Sequence, residues 1–131
     1  MAEQRKPAAF GIDLGTTNTV AAVYLEKEQR CEVIRNELSS PLNPSCVAFV
    51  NGKIKVGMSA QMQLLRSPKC VVYEVKRLIG LKFDDPKIAD DLKRFSFDVI
   101  GTKAATDETI IWPTIKIEDK QFSPEEVSFF H

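Results

Sequence analysis

Residues 10–25, FGIDLGTTNTVAAVYL, place one carboxylate, one glycine and two hydroxyls between two apolar runs. Asp13 closes the first run, and Gly15, Thr16 and Thr17 follow it closely. A turn that contains glycine can present its backbone N–H groups in a concave array, which suits phosphate oxygens. The two threonine hydroxyls add further donors. This combination of residue types indicates a phosphate-binding turn with a carboxylate at its edge.

Asp13 is suited to hold a hydrated magnesium ion, because Mg²⁺ binds through a few carboxylates together with waters and phosphate oxygens. A carboxylate left unpaired at a strand end is costly, and such an ion or a phosphate-bound water network removes that cost. An ordinary hairpin, in which Asp13 caps the N–H groups of its own turn, explains the same short motif equally well. The chain contains no G-x-x-x-x-G-K-[ST] and no G-x-G-x-x-G run.

Composition narrows the class of protein. The chain has 131 residues, of which 44% are apolar and 27% charged, so it is globular and long enough for one sizeable core. Lys plus Arg and Asp plus Glu both number 18, and this balance gives no reason to expect a nucleic acid or an anionic membrane surface as partner. Neither a membrane span nor a secretory signal is recognisable, which favours a cytoplasmic location. We expect Cys31, Cys46 and Cys70 to be free thiols, since they share no metal-ligand spacing.

Strands and hairpins are predicted on both sides of this motif. The pattern favours strands at 8–14 and 19–25 around a turn at 15–18, a third strand at 31–35, and a loop at 36–44. Asn51-Gly52 predicts a tight hairpin between strands at 45–50 and 53–56. Two later strands are expected at 97–100 and 110–117, with an exposed loop at 102–108 between them.

Helices are predicted in the centre of the chain and at its end. Apolar spacing indicates helices over 58–65, over 71–79 with Gly80 as the C-terminal cap, and from Asp85-Pro86 to Phe95. Residues 122–127, FSPEEV, contain a capping box and a hydrophobic staple. Because the helix that begins there is too short to be stable alone, we interpret the chain as a fragment of a longer protein.

Residues 11–24, GIDLGTTNTVAAVY, resemble the first phosphate-binding hairpin of the actin-like ATPase superfamily, which includes actin, sugar kinases and the seventy-kilodalton heat-shock chaperones. Further stretches resemble the chaperones in order and spacing: NPSCVAF at 43–49, VKRLIG at 75–80, LKFDD at 81–85 and FSPEEVS at 122–128. VKRLIG is typical of the chaperones and absent from actins and sugar kinases. The resemblance is to the N-terminal part of the chaperone ATPase domain, and it is weak only at 102–112.

The resemblance implies a role for each matching residue. Asp13 corresponds to an aspartate linked to magnesium through water, and Gly15, Thr16 and Thr17 correspond to contacts with the β- and γ-phosphates of ATP. Lys76, in VKRLIG, corresponds to the catalytic lysine that contacts the γ-phosphate and orients the attacking water. An ammonium there stabilises the charge of the transferred phosphoryl group.

Some positions depart from the family pattern or have a simpler explanation. Asn18 completes the nucleotide-binding stretch, but the family usually has an aromatic residue there. Ser39 and Pro41 stand where the family usually has a glycine and an arginine. From the residues alone, Lys76 and Arg77 lie opposite an apolar stripe, where a soluble helix normally carries charge.

The implied fold is α/β: an incomplete, actin-like and ribonuclease-H-like lobe I with a mixed sheet. Its parts are the base with the phosphate hairpin at 8–44, an inserted α/β subdomain at 45–122, and a return to the base at 123–131 in a truncated helix. The second phosphate hairpin, the other acidic residues around magnesium and the adenosine pocket lie downstream in the family.

The implied function is ATP hydrolysis coupled to protein folding in the intact chaperone, with ATP or ADP and Mg²⁺ as cofactors. Unfolded client proteins, J-domain co-chaperones and nucleotide exchange factors are the implied partners, and the fragment alone is expected to be inactive. Two alternatives stay open at this point. One is a different actin-like ATPase, such as a filament-forming protein or a sugar kinase, and the other is a non-catalytic module that binds co-chaperones.

Overall fold

Three small antiparallel sheets make up most of residues 9–130, the part of the chain that the computed structural model describes. The first sheet contains β1 (Ala9–Leu14), β2 (Asn18–Leu25), β3 (Arg30–Val33) and the short β4 (Asn43–Pro44), which pairs with the start of β2. The second has the order β6-β5-β7, with β5 at Cys46–Val50, β6 at Lys53–Val56 and β7 at Val71–Tyr73. The third has the order β10-β9-β8, with β8 at Asp98–Lys103, β9 at Ile111–Ile117 and β10 at Lys120–Phe122.

The helices of this region are short. They are α1 (Gly57–Gln61), α2 (Ala89–Arg94) and α3 (Pro124–Phe129), together with 3-10 turns at Met62–Leu65, Pro68–Cys70, Val75–Arg77 and Pro86–Ile88. Within residues 9–130, no helix is long and apolar enough to cross a membrane. The predicted helix that starts at Asp85-Pro86 is present as the last 3-10 turn followed by α2, and the Asp85 carboxylate accepts from the Lys87 N–H at 2.9 Å.

Both predicted hairpins are confirmed. Leu14 pairs with Thr19, and Gly15, Thr16 and Thr17 lead from β1 to Asn18, the first residue of β2; we call residues 15–18 the 15–18 turn. Val50 pairs with Lys53 around Asn51-Gly52, where both φ angles are positive, at 53° and 71°. Positive φ at both central residues is the requirement of the two-residue turn that matches strand twist.

The helix predicted at 71–79 is wrong. Val71–Tyr73 is strand β7, Glu74 is left-handed with φ at 51°, and only a 3-10 turn follows. Val71 and Val72 are both fully buried and belong to two different hydrophobic clusters. A strand covered on both faces shows no alternation, so its apolar residues fit helical spacing as well. Gly80 has the left-handed φ expected of a cap, 74°, although no α-helix ends there.

Other predicted elements begin or end at different residues in the structure. The predicted helix at 58–65 is divided into α1 and a 3-10 turn, and the strand predicted at 31–35 ends at Val33. The loop predicted at 102–108 begins later, because Thr102 and Lys103 pair with Trp112 and Ile111 in β8 and β9. Residue 8, the predicted start of the first strand, and residue 131 lie outside the described residues.

Each strand pair among residues 9–130 is antiparallel, so the mixed sheet is not found in this part of the chain. A parallel pair needs a crossover of about a dozen residues or more, whereas most successive strands here are joined by short turns.

The main core lies between the second sheet, the third sheet and α3. Its buried members are Val47, Val72, Val75, Phe97, Ile115, Ile117 and Val127. The rings of Phe49 and Phe122 stack beside them with centroids 4.6 Å apart. The first sheet contributes nothing to this cluster, and Phe10 and Ile12 on β1 are 69% and 73% exposed.

Helix α3 begins with the predicted capping box. The Ser123 hydroxyl accepts from the Glu126 N–H at 3.1 Å, and the Glu126 carboxylate accepts from the Ser123 N–H at 2.7 Å. Val127 is fully buried, and Phe122 packs against the same cluster, as the staple requires. These contacts fix α3 against the 3-10 turn Val75–Arg77.

Replacing Ser123 with alanine removes the cap. We expect the free energy of unfolding to fall by about 1 kcal/mol, the usual cost of losing such a hydroxyl, as measured by urea denaturation. Ser128→Ala, in the same helix, is the matched control and should leave stability equal or slightly higher, because alanine has the higher helix propensity. An equal loss in both variants would contradict the capping role.

Candidate functional site

Gly15 is required by the shape of the 15–18 turn. A Cβ at position 15 would lie 2.2 Å from the Asn18 carbonyl oxygen, a backbone atom that cannot move aside without opening the turn. Any side chain at this position therefore disrupts the hairpin. The sequence motif therefore places its glycine at a position of the turn where a Cβ has no room.

Three carbonyls in and beside the turn receive donors from later segments. The Ser45 hydroxyl donates to the Gly15 oxygen at 2.8 Å, and the Ser45 backbone N–H donates to the Thr17 oxygen at 2.9 Å. The Lys76 ammonium donates to the Leu14 oxygen. Within residues 9–130, the N–H groups of Thr16 and Thr17 donate no hydrogen bond. The turn therefore presents free backbone donors while its Gly15 and Thr17 carbonyls are engaged.

Glu74 joins the turn to the segment that carries Lys76. Its carboxylate accepts from the Thr17 hydroxyl at 3.5 Å and from the Arg77 guanidinium at 2.8 Å. The hydrogen bond from Arg77 to Glu74 raises the pKa of the Arg77 side chain above its ordinary value. Because the Glu74 backbone is left-handed, the chain turns sharply between β7 and the 3-10 turn that holds Lys76.

Asp13 is the second-last residue of β1, lies opposite Val20 and is exposed. Its carboxylate is therefore hydrated, and the expected cost of leaving it unpaired does not arise in this structure; that argument for a metal was wrong. No cluster of three or more potential metal ligands occurs among the described residues. One exposed carboxylate fits a magnesium ion held through water and phosphate, since Mg²⁺ retains several waters, but not a cage built by the protein alone.

The predicted site residues come together only in part. Lys76 lies beside the hairpin, because its ammonium contacts the carbonyl of Leu14, 62 positions earlier in the sequence. Leu14 is the residue that follows Asp13. Asn18 is exposed and lies opposite Pro44 of β4, and its contact with a nucleotide stays a prediction. Ser45 and Glu74 also contact the turn, and neither was predicted from the sequence. A serine directly before the buried strand β5 was the available signal, because a buried hydroxyl needs partners.

A cavity of about 290 Å³ opens beside the turn, between Thr17, Cys46, Tyr73 and Glu74. Cys46 is buried and its thiol donates to the Gly57 oxygen at 3.2 Å. Burial raises the pKa of the Cys46 thiol to about 11. A protonated thiol is a poor nucleophile, so Cys46 serves packing here. All three cysteines are free, as predicted.

Comparison with known proteins agrees with the motifs. The model of the family described as Hsp70 protein matches residues 9–130. The chain is 42% identical over 120 residues to the heat shock 70 kDa protein of Neurospora crassa, which covers 92% of the chain and 18% of that relative. It is 38% identical over 132 positions to a ribosome-associated molecular chaperone of Nakaseomyces delphensis, which covers 98% of the chain and 20% of that relative.

These matches define a protein of the actin-like ATPase class. The chain belongs to the Hsp70 family, and the recognition made from its motifs is confirmed. A third relative, the heat shock cognate 70 kDa protein 3 of Dictyostelium discoideum, is 40% identical over 120 residues, covering 92% of the chain and 19% of that protein. The chain thus spans about a fifth of the length of the curated relatives it matches.

The raised pKa of Cys46 predicts a pH dependence of stability. Above about pH 9 the thiol ionises in the unfolded chain, whereas in the folded chain it stays protonated up to about pH 11. The unfolded state then binds fewer protons, so the free energy of unfolding falls as pH rises through this window. Urea denaturation between pH 7.5 and about pH 10.5 measures this slope.

Cys46→Ala should lose this part of the slope, whatever its stability at neutral pH. Cys31→Ala, at an exposed cysteine, is the control and should keep the wild-type slope. The assignment to Cys46 would be refuted if Cys46→Ala and the wild type lost stability in parallel over the same range.

Proposed function

We propose that the chain is the N-terminal part of the ATPase domain of an ATP-dependent molecular chaperone, and that the 15–18 turn binds the phosphates of Mg-ATP in the intact protein. One observation carries this proposal. The Lys76 ammonium donates a hydrogen bond to the Leu14 carbonyl, so the VKRLIG segment and the hairpin, both assigned to phosphate binding, lie side by side.

The chemistry of the gathered groups suits a polyphosphate. The free N–H groups of Thr16 and Thr17 are donors, and their hydroxyls are close by. An ammonium has three donors, so Lys76 can keep its bond to Leu14 and still contact a phosphate oxygen. A bound magnesium ion supplies positive charge to the phosphates, and Asp13 holds its water shell.

Several parts of the proposal extend beyond this chain. Because it spans about a fifth of its relatives, the second phosphate hairpin and the adenosine pocket belong to the intact protein, and the chain alone should not turn over ATP. We place the base of lobe I at 8–44, the inserted subdomain at 45–122 and the return at 123–131. The change from the first sheet to the second after residue 44 supports the first boundary.

The partners and the location are also proposals. In keeping with the family, we propose that unfolded client proteins, J-domain co-chaperones and nucleotide exchange factors act on the intact protein, and we also propose a cytoplasmic location. Family membership favours the chaperones over other actin-like ATPases such as filament-forming proteins and sugar kinases. The name of the Nakaseomyces delphensis relative attributes ribosome association to that protein.

ATP turnover by the intact protein tests the assignment of Lys76 and Asp13. Lys76→Ala should lower the turnover rate by about 100-fold, because it removes a charge that stabilises the transition state. Asp13→Asn should raise the magnesium concentration needed for half-maximal activity by about tenfold, because it weakens the hold on the metal's water shell. Steady-state hydrolysis over a magnesium titration measures both effects.

Lys87→Ala and Asp84→Asn are matched controls, since both side chains are exposed and neither forms a hydrogen bond or ion pair with the turn. They should behave as the wild type, and the 131-residue chain should show no turnover. If Lys76→Ala and Asp13→Asn hydrolyse ATP as the wild type does, the turn is structural, and the non-catalytic binding module becomes the better proposal.

A further inference from the structure

Ser45 is the buried polar residue of the described chain, with 4% of its surface exposed. Its hydroxyl oxygen lies 2.8 Å from the Gly15 oxygen and 2.8 Å from the Thr19 hydroxyl. A hydroxyl has one proton to donate, so donation to Gly15 makes the Thr19 hydroxyl the donor to Ser45. With its backbone N–H on the Thr17 oxygen, Ser45 contacts the 15–18 turn at two separate carbonyls.

The bond to Gly15 fixes the direction of the next N–H group. In a trans peptide the C=O and the N–H point in opposite directions, and residues 9–130 contain no cis peptide. Because the Gly15 carbonyl points at Ser45, the Thr16 N–H points away from Ser45. Among the described residues it finds no acceptor. One side-chain bond thus determines where this donor is available.

We propose that Ser45 is a positioning residue, which holds the Gly15 carbonyl so that the Thr16 N–H faces a phosphate oxygen. The inference rests on the function proposed above for the 15–18 turn. Glycine has access to many backbone conformations, so without a donor at Ser45 the Gly15–Thr16 peptide can rotate to present its carbonyl outward instead. Lys76 does not prevent this, because it holds the preceding carbonyl of Leu14.

The position of Ser45 is fixed by the second sheet. Cys46 of β5 pairs with Tyr73 of β7 at one end of this antiparallel ladder. Residue 45, just before β5, and residue 74, just after β7, therefore lie at that same end. Ser45 binds the backbone of the turn, and Glu74 binds the Thr17 hydroxyl. The end of the β5–β7 ladder is therefore a platform for the turn, and a buried ladder is a rigid support for a positioning residue.

The test uses the ¹⁵N-labelled 131-residue chain and magnesium pyrophosphate as the probe. Ser45→Ala should shift the Thr16 amide resonance, because the Gly15–Thr16 peptide is no longer held in one orientation. The same variant should weaken pyrophosphate binding by about fivefold, the effect of one hydrogen bond. Thr19→Val removes the other hydroxyl partner of Ser45 but keeps the bond to Gly15, and Ser59→Ala removes an exposed hydroxyl that donates to the Val56 carbonyl. Both controls should keep the wild-type amide and bind within about twofold of the wild type.

A folded Ser45→Ala chain with an unchanged Thr16 amide would overturn the inference. If that variant does not fold, Ser45→Cys carries the same comparison, because a thiol is a weak donor of similar shape. A Thr16 amide resonance unchanged from the wild type in Ser45→Cys would equally overturn it. If Ser45→Ala alters the amide but no form of the chain binds pyrophosphate, the positioning role stands, and ATP turnover by the intact Lys76→Ala and Asp13→Asn variants decides the function proposed for the turn.

Discussion

Backbone carbonyls that face the protein must each find a hydrogen-bond donor, and in the 15–18 turn this requirement decides which way the N–H groups point. The donors come from Ser45 and Lys76, which lie 30 and 62 positions away from the carbonyls that their side chains contact. The turn is therefore not a local structure. Its four residues permit more than one conformation, and two later segments select the one in which the Thr16 and Thr17 N–H groups are free.

The core explains why both segments arrive at the same place. Val47 on β5 and Val72 on β7 are fully buried between the second and third sheets, and this burial fixes the ladder that ends at Ser45 and Glu74. Val127 on α3 packs in the same cluster, behind the 3-10 turn that carries Lys76. The packing of the second sheet against the third therefore fixes where Ser45 and Glu74 contact the turn of the first sheet.

The sequence was informative where structure is local. Asn51-Gly52 determines its own hairpin, and the Ser123–Glu126 pair determines its own helix start, because all the atoms involved lie within a few residues. The helix prediction for 71–79 failed because burial of both faces of β7 depends on two other sheets. Its apolar spacing is compatible with both a strand and a helix, and only the tertiary contacts distinguish the two.

The candidate site shows the same division. Asp13, Gly15, Thr16 and Thr17 were predictable as a group, and the resemblance added Lys76. Neither source could give Ser45 or Glu74 a role. The partners of Ser45 are backbone oxygens, which carry no sequence signal, and Glu74 looked like a polar position of a helix that does not form.

The first sheet is held differently from the rest of the molecule. Phe10 and Ile12 are largely exposed, and Leu25 is the large apolar side chain that this sheet buries within the described chain. Little apolar burial means a low free energy of local opening, so hydrogen bonds contribute a larger share of what orients the turn. Each such bond contributes about 1 kcal/mol net, which is about a fivefold change in the population of a local conformation. A change at one donor can therefore alter the binding geometry of the turn while the core of the second and third sheets stays folded.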